Sequence, residues 1–364
     1  MARYPVWMSE SSAAQPSAAQ PSTTKPSAED IARRPIDVYA VGNALMDIQA
    51  QVGDDVPGQV GFEKGVMTLV DDSGQAKVLQ VLHDRYGSDV SRCPGGSAAN
   101  TVIGLADFGG SAIFAGRTGG DEIGQAYNAA MRELGVEIAI EAIPGAQTGT
   151  SVILITPDAE RTMLTNLAAS ATLAADDIAA DAIARSKYVY VEGYLFTGEA
   201  TTEAALRTIA EAREAGTKIA FTMSDPFVVQ GFRETFEKLL ASQVDLLFCN
   251  LEEAQAMTGE EDPMACAAAL HDRCAAVALT LGGDGSLLMV DDEAISIDGV
   301  PCEAVDTTGA GDMYAAGILY GINNGLSWEQ AGRLGSAAAA KVVSQMGARL
   351  PGHVGRDLLA EVVG

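Results

Sequence analysis

Asp306-Thr307-Thr308-Gly309-Ala310-Gly311-Asp312 sets two glycines and an acid directly ahead of an apolar stretch, Met313 to Leu319, that reads as a helix. The first backbone N–H groups of a helix lack intrahelical acceptors and carry the positive end of its dipole. The amides of Gly309, Ala310 and Gly311 can therefore converge on an anion. Asp312 would repel that anion unless it is there to take a proton from whatever attacks it. The combination suggests phosphoryl transfer to a hydroxyl, for which a protein supplies positioning, charge stabilisation and a base. A bare Gly-x-Gly-Asp reads more readily as an acid capping a helix after a glycine turn; the flanking Asp306-Thr307 narrows that reading.

Outward from this run the chain alternates between strand and helix patterns. Asp37-Val-Tyr-Ala-Val-Gly42 reads as a buried parallel strand, with Asn43 and Asp47 just beyond its carboxyl end, where open α/β sheets place ligands. A turn-forming Asn and a capping Asp are the plainer reading of those two. Pro94-Gly95-Gly96-Ser97-Ala98-Ala99-Asn100 opens a helix over 101–108. A strand at 112–115 precedes Gly116-Arg-Thr-Gly-Gly-Asp121-Glu-Ile-Gly124 and a helix containing 127–134. The segments 148–156 and 161–166 read as two strands joined by a turn at Pro157-Asp158. From Asp176 the strands 187–193, 218–222 and 244–249 alternate with helices 201–215 and 228–240, which predicts right-handed crossovers and a sheet covered on both faces. Asn250-Leu-Glu-Glu253 stands at a strand end with a spacing that turns both side chains to one side. Thr280-Leu-Gly282-Gly-Asp-Gly285 joins strands at 275–281 and 286–290, and Ala-rich helices close the chain near 328–344 and 355–362.

In this order the motifs resemble those of the ribokinase-like (PfkB) carbohydrate kinases, in detail nearest the adenosine kinases, from Asp37 to Gly352. The resemblance implies a three-layer α/β/α sandwich with a mostly parallel central sheet in residues 36–364, and a small β-sheet lid inserted at about 49–65 and 146–168. It implies that Asp312 activates the acceptor hydroxyl, that the Gly309, Ala310 and Gly311 amides hold the transferring phosphate, and that Arg161 on the lid swings towards it. Substrate would be held by Asn43, Asp47, Gly95, Gly96 and Asn100. Leu45, Met163 and Leu195 are expected to line an apolar slot for a nucleoside base. ATP would lie against Thr280, Gly282, Gly285, Thr308, Lys341 and Asn250, with Mg²⁺ held by Asn250 and Glu253 largely through water, and K⁺ behind the anion-hole loop as in some relatives. Adenosine is the expected acceptor. A sugar kinase of ribose or fructose type, and a non-catalytic nucleoside sensor, are the alternatives.

Composition narrows the field. With 364 residues, 48% hydrophobic and 20% charged, the chain is long enough for one large α/β domain. A formal net charge of −26 opposes nucleic-acid and anionic-membrane partners. The five cysteines lack Cys-x-x-Cys spacing and the three histidines lie far apart, so thiolate zinc and histidine chemistry have no support. Neither a Gly-x-x-x-x-Gly-Lys-Ser/Thr loop nor a Gly-x-Gly-x-x-Gly fingerprint occurs. Residues 1–35, rich in Ser, Ala and Pro, read as a disordered tail. A cytoplasmic monomer or homodimer is expected, since the apolar runs are too short to span a membrane and the start is no secretory signal.

Overall fold

The computed structural model describes residues 26–87, 90–350 and 354–363; the expectation of a disordered tail falls, up to residue 25, outside them. In chain order the elements are α1 (Ala28–Ala32), β1 (Ile36–Val41), β2 (Leu45–Gln51), α2 (Val56–Val60), β3 (Met67–Leu69), α3 (Asp72–Tyr86), β4 (Ser91–Gly95), α4 (Ser97–Asp107), β5 (Ala112–Ala115), α5 (Glu122–Glu133) and β6 (Val136–Ile138). Then come β7 (Gly149–Ile155), β8 (Arg161–Asn166), α6 (Ala180–Ala184), β9 (Ser186–Glu192), α7 (Glu199–Ala215), β10 (Lys218–Thr222), α8 (Pro226–Leu240), β11 (Leu246–Asn250) and α9 (Leu251–Thr258). The chain closes with α10 (Pro263–His271), β12 (Ala276–Thr280), β13 (Gly285–Val290), β14 (Glu293–Asp298), α11 (Ala310–Asn323), α12 (Trp328–Val343) and α13 (Gly355–Val363). The tail ends sooner than expected. Ser27 and Asp30 form a reciprocal cap for α1, and Arg34 anchors the segment by donating to Ser186 O, Ala215 O and Thr217 Oγ1.

Nine strands form the main sheet in the order β14-β13-β12-β11-β10-β9-β1-β5-β6, parallel except where β13 pairs antiparallel with β12 and β14. Alternation along the central strands feeds two cores. Tyr39 and Val41 of β1 pack with Val189, Ile209 and Phe221 on one face, while Val38 and Ala40 pack with Tyr190, Phe114 and Leu319 on the other. With helices on both faces this is the expected α/β/α sandwich.

The second sheet runs β3-β8-β7-β2-β4. Its alternation decides where the site lies. Ile48, Ala50, Val152, Leu154 and Leu164 turn towards Val78 and Leu82 of α3. The residues between them, Leu45, Asp47, Ser151, Ile153, Arg161, Met163 and Thr165, line a cleft between this lid sheet and the carboxyl ends of the main strands. The lid differs in outline from the expectation. Residues 49–65 contain only the end of β2 followed by α2, and β3 and β4 come from outside both expected segments.

Candidate active site

The cleft has a volume of about 660 Å³, room for two small-molecule substrates end to end. Helix α11 begins at Ala310, three residues before the apolar run, so Gly311 and Asp312 sit in its first turn. Gly309 takes φ 76°, and a Cβ there would stand 2.5 Å from the Ala348 methyl; both facts demand glycine. The Ala310 N–H turns away to the Thr307 carbonyl at 3.3 Å. The amides of Gly309, Gly311 and Asp312 take no acceptor among the described residues, and a Cβ on Gly311 would meet open space, which leaves that turn approachable by a ligand.

Asp312 is fixed from across the cleft. Ser97 Oγ donates to its Oδ1 at 2.6 Å and Asn100 Nδ2 to its Oδ2 at 2.9 Å, which ties the first turn of α4 to the first turn of α11. Burial pushes the Asp312 carboxyl above the ordinary aspartate range, and the Ser97 and Asn100 hydrogen bonds and the Arg161 charge pull it back. A carboxylate oriented by two donors and made more basic by burial suits proton acceptance.

At the lid end, Asp47 is 4% exposed, with its carboxylate in the cleft and no hydrogen-bond partner among the described residues. Burial pushes it to about 7 against the Arg349 charge, with Asp312 and Asp306 adding to the rise. The paired glycines make room for the site's own groups. A Cβ on Gly95 would lie 2.1 Å from Asp47 Oδ2, and one on Gly96 would lie 2.0 Å from the Asn43 carbonyl oxygen. Asn43 is locked by Glu192, whose Oε1 accepts from the Asn43 amide at 2.7 Å and from its Nδ2 at 2.8 Å, while Oε2 accepts from Ala98 N at 2.9 Å. Leu45 and Met163 line the cleft as expected, joined by Met67, Ile153 and Leu167. Leu195 does not. It is wholly buried in the core beside α7 and faces away from the site.

At the far end, Thr280, Gly282, Gly285 and Thr308 line the cleft, and Ser336, Ala339, Ala340 and Val343 of α12 complete the wall. Lys341 is exposed and points off it, because helix periodicity turns 339, 340 and 343 inward and 341 outward. Gly285 is needed chiefly for the fold: at φ 99° a Cβ would lie 2.0 Å from the Ile297 carbonyl oxygen of β14. Asn250 and Glu253 both reach the cleft but also cap each other. Glu253 N donates to Asn250 Oδ1 at 2.8 Å, and Glu253 accepts from Asn250 N and Nδ2 at 3.0 Å each. Arg161 lines the cleft between these groups with no hydrogen-bonded partner among the described residues, and its charge is felt by Asp47, Asp225, Glu253 and Asp312.

Ser97 and Glu192 were not singled out from sequence. Ser97 stood inside a motif read for its glycines and asparagine. Glu192 ended a strand as a lone acid, and its position there was the available signal.

Residues 72–353 match the pfkB family carbohydrate kinase. Among solved structures, the adenosine kinase from Sinorhizobium meliloti is 35% identical at a TM-score of 0.83, over 90% of this chain and 99% of that one. A probable sugar kinase from Rhizobium etli is 33% identical at a TM-score of 0.85, with the same coverage. The 5-dehydro-2-deoxygluconokinase of Shouchella clausii is 30% identical over 69% of this chain and 80% of its own length. With the family model matched across most of the chain and the fold shared over nine-tenths of it, this protein belongs to the PfkB family of carbohydrate kinases.

Proposed function

We propose that the protein is an ATP-dependent kinase that phosphorylates the primary hydroxyl of a nucleoside, adenosine before others, to give the 5′-monophosphate and ADP. The observation that carries the nucleoside reading is the lid face. Leu45, Met67, Ile153, Met163 and Leu167 surround Asp47 with apolar surface, which a flat base can cover and a free sugar cannot. Of the polar groups beside them, the Ser151 and Thr165 hydroxyls bond each other at 2.9 Å. The likeness to an adenosine kinase at 35% identity points the same way. Asp47 would accept from two vicinal hydroxyls of the ribose, since one carboxylate offers two oxygens at that spacing.

In the reaction the acceptor oxygen attacks the γ-phosphorus in line, the P–O bond to ADP breaks, and the hydroxyl proton passes to Asp312. Ser97 and Asn100 hold that carboxylate in place. The free amides at the start of α11 and the Arg161 guanidinium face the charge that builds on the transferring phosphoryl group. For Mg²⁺ the donor chemistry fits: Glu253 and Asn250 bring hard oxygen atoms to the cleft, with the Asp225 charge felt at Glu253, and such a set would hold the ion largely through water. Bound there, the ion would offset phosphate charge. Behind the loop, Asp306 accepts at Oδ1 from the Thr308 N–H and hydroxyl and at Oδ2 from the Gly347 N–H, which braces the anion-hole turn.

The test is kcat/KM for adenosine, inosine, 2′-deoxyadenosine, ribose and fructose in one assay. Adenosine should lead, with 2′-deoxyadenosine well below it. A leading free sugar overturns the nucleoside reading, and equality of the two adenosines overturns the role of Asp47.

A further inference from the structure

The loop after α12 touches both halves of the site at once. Gly347 N donates to Asp306 Oδ2 at 2.8 Å, and Ala348 packs on Gly309, so this loop braces the anion-hole turn. One residue on, the Arg349 guanidinium donates through Nη2 to the Pro94 carbonyl, while Gln345 Nε2 holds the Arg349 carbonyl. Pro94 pairs with Met46 and Cys93 pairs with Asp47, so this contact brings a cation to the strand register beside the acceptor carboxylate. The Arg349 Nε is buried without a partner, and so is the side-chain amide of Gln49, two residues along β2 from Asp47 and on the same face. Two side chains with buried, unpaired polar atoms, Arg349 and Gln49, thus sit on the loop and the strand that meet at the acceptor end, where a packed structural contact would have satisfied them.

We propose that Arg349 is a positioning residue of the acceptor site: pinned on the Pro94 carbonyl, it supplies the counter-charge that keeps Asp47 able to accept hydrogen bonds from the substrate's hydroxyls. This rests on the reading of Asp47 given above. Every other charge near Asp47 is insufficient or adverse. Asp312 and Asp306 oppose its ionisation, Arg161 favours it less than Arg349 does, and the neighbouring Cys93 and Tyr127 are themselves held neutral by burial. Arg161 is also the group facing the phosphate, so it cannot serve Asp47 alone. Arg349 does not reach the reacting atoms; it acts through Asp47.

The experiment is the dissociation constant of adenosine, measured by calorimetry without ATP from pH 5.5 to 8.5, for wild type, Arg349→Met and Arg349→Lys, with kcat and KM alongside. Removing the cation raises the pH at which Asp47 ionises. Arg349→Met should therefore move the midpoint of binding upward by about one pH unit and weaken binding at pH 7 by about tenfold, with kcat at saturation within about threefold. Arg349→Lys keeps the charge but loses the Nη2 contact to the Pro94 carbonyl and should fall between the two. A merely structural role would weaken binding at every pH without moving the midpoint, and an unmoved midpoint in both variants overturns the proposal. If Arg349→Met does not fold, Arg349→Gln, which also removes the charge, takes its place, and an unmoved midpoint there overturns the proposal. If wild type binds fructose and not adenosine, the nucleoside reading fails, and the same midpoints read on fructose decide the role of Arg349.

Discussion

Glu253 answers two demands with one carboxylate. As the third residue of α9 it reaches back to the Asn250 amide while Asn250 caps its own, a reciprocal arrangement that needs no ligand. Yet it is buried at the cleft wall, and burial pushes it to about 7 against the Asn250 N–H, with Asp225 and Glu252 adding to the rise and Arg161 opposing it. A capping role alone would be served as well by an exposed carboxylate at its ordinary value. A divalent cation at the cleft would favour the ionised form and return a benefit for the burial. Glu253→Gln should therefore raise the Mg²⁺ concentration needed for half-maximal rate by about tenfold while the acceptor KM stays put, with a loss of about 1 kcal/mol in stability from the weakened cap. A lower Tm with an unchanged Mg²⁺ titration would leave Glu253 as a cap and nothing more.

At the scale of elements, the site depends on how β1, β9 and α4 are joined, and Glu192 joins them. It ends β9, bonds the backbone just beyond β1 at Asn43 and the first turn of α4 at Ala98, and leaves no room for a side chain on Gly42, where a Cβ would stand 2.5 Å from its Oε2. Burial pushes Glu192 to about 7 from an ordinary 4.5, and the donors at Asn43 and Ala98 pull it down. The folded chain therefore keeps a proton that the unfolded chain has released. The stability this represents is complete below the ordinary value, declines as pH rises and is gone near 7. Glu192→Gln should remove that slope from the Tm-against-pH curve, and it should cost about 1–3 kcal/mol because the new amide N–H faces the Ala98 N–H. A slope that persists in the variant would assign the titration elsewhere.

The elements themselves were legible wherever period and punctuation agreed. β1, β5, β9 and β10 are short apolar runs bounded by glycine or polar residues, and the β7–β8 hairpin was marked by Pro157-Asp158. β4 was not legible: Ser91-Arg-Cys-Pro-Gly95 has neither alternation nor β-branched residues, and it pairs on one side only, where a proline is tolerated. Asp312, Asp47 and Asn100 could be picked out because each lies in a motif at an element's end. Leu195 and Lys341 were misplaced because which way a residue faces in a short turn or a long Ala-rich helix is set by packing that local sequence does not carry.

For the whole molecule, the net charge of −26 and the handling of an anionic substrate are reconciled locally. Among the described residues no helix is long and apolar enough to cross a membrane. The cleft offers an anion the unpaired α11 amides and Arg161, while the acids that face it, Asp47, Asp312 and Glu253, are all pushed upward by burial. The lid sheet meets the anion-hole loop at its tip, where Thr307 Oγ1 donates to the Ala159 carbonyl at 3.5 Å. The central claim, that one cleft moves the γ-phosphoryl group of ATP to a nucleoside hydroxyl through Asp312, is tested by following γ-labelled ATP with adenosine in wild type and Asp312→Asn. The label should appear as a 5′-phosphate ester in step with ADP in the wild type, and Asp312→Asn should slow that transfer by about 10²–10⁴ while still binding ATP. ADP released without labelled ester, or transfer in Asp312→Asn within about threefold of wild type, would contradict it.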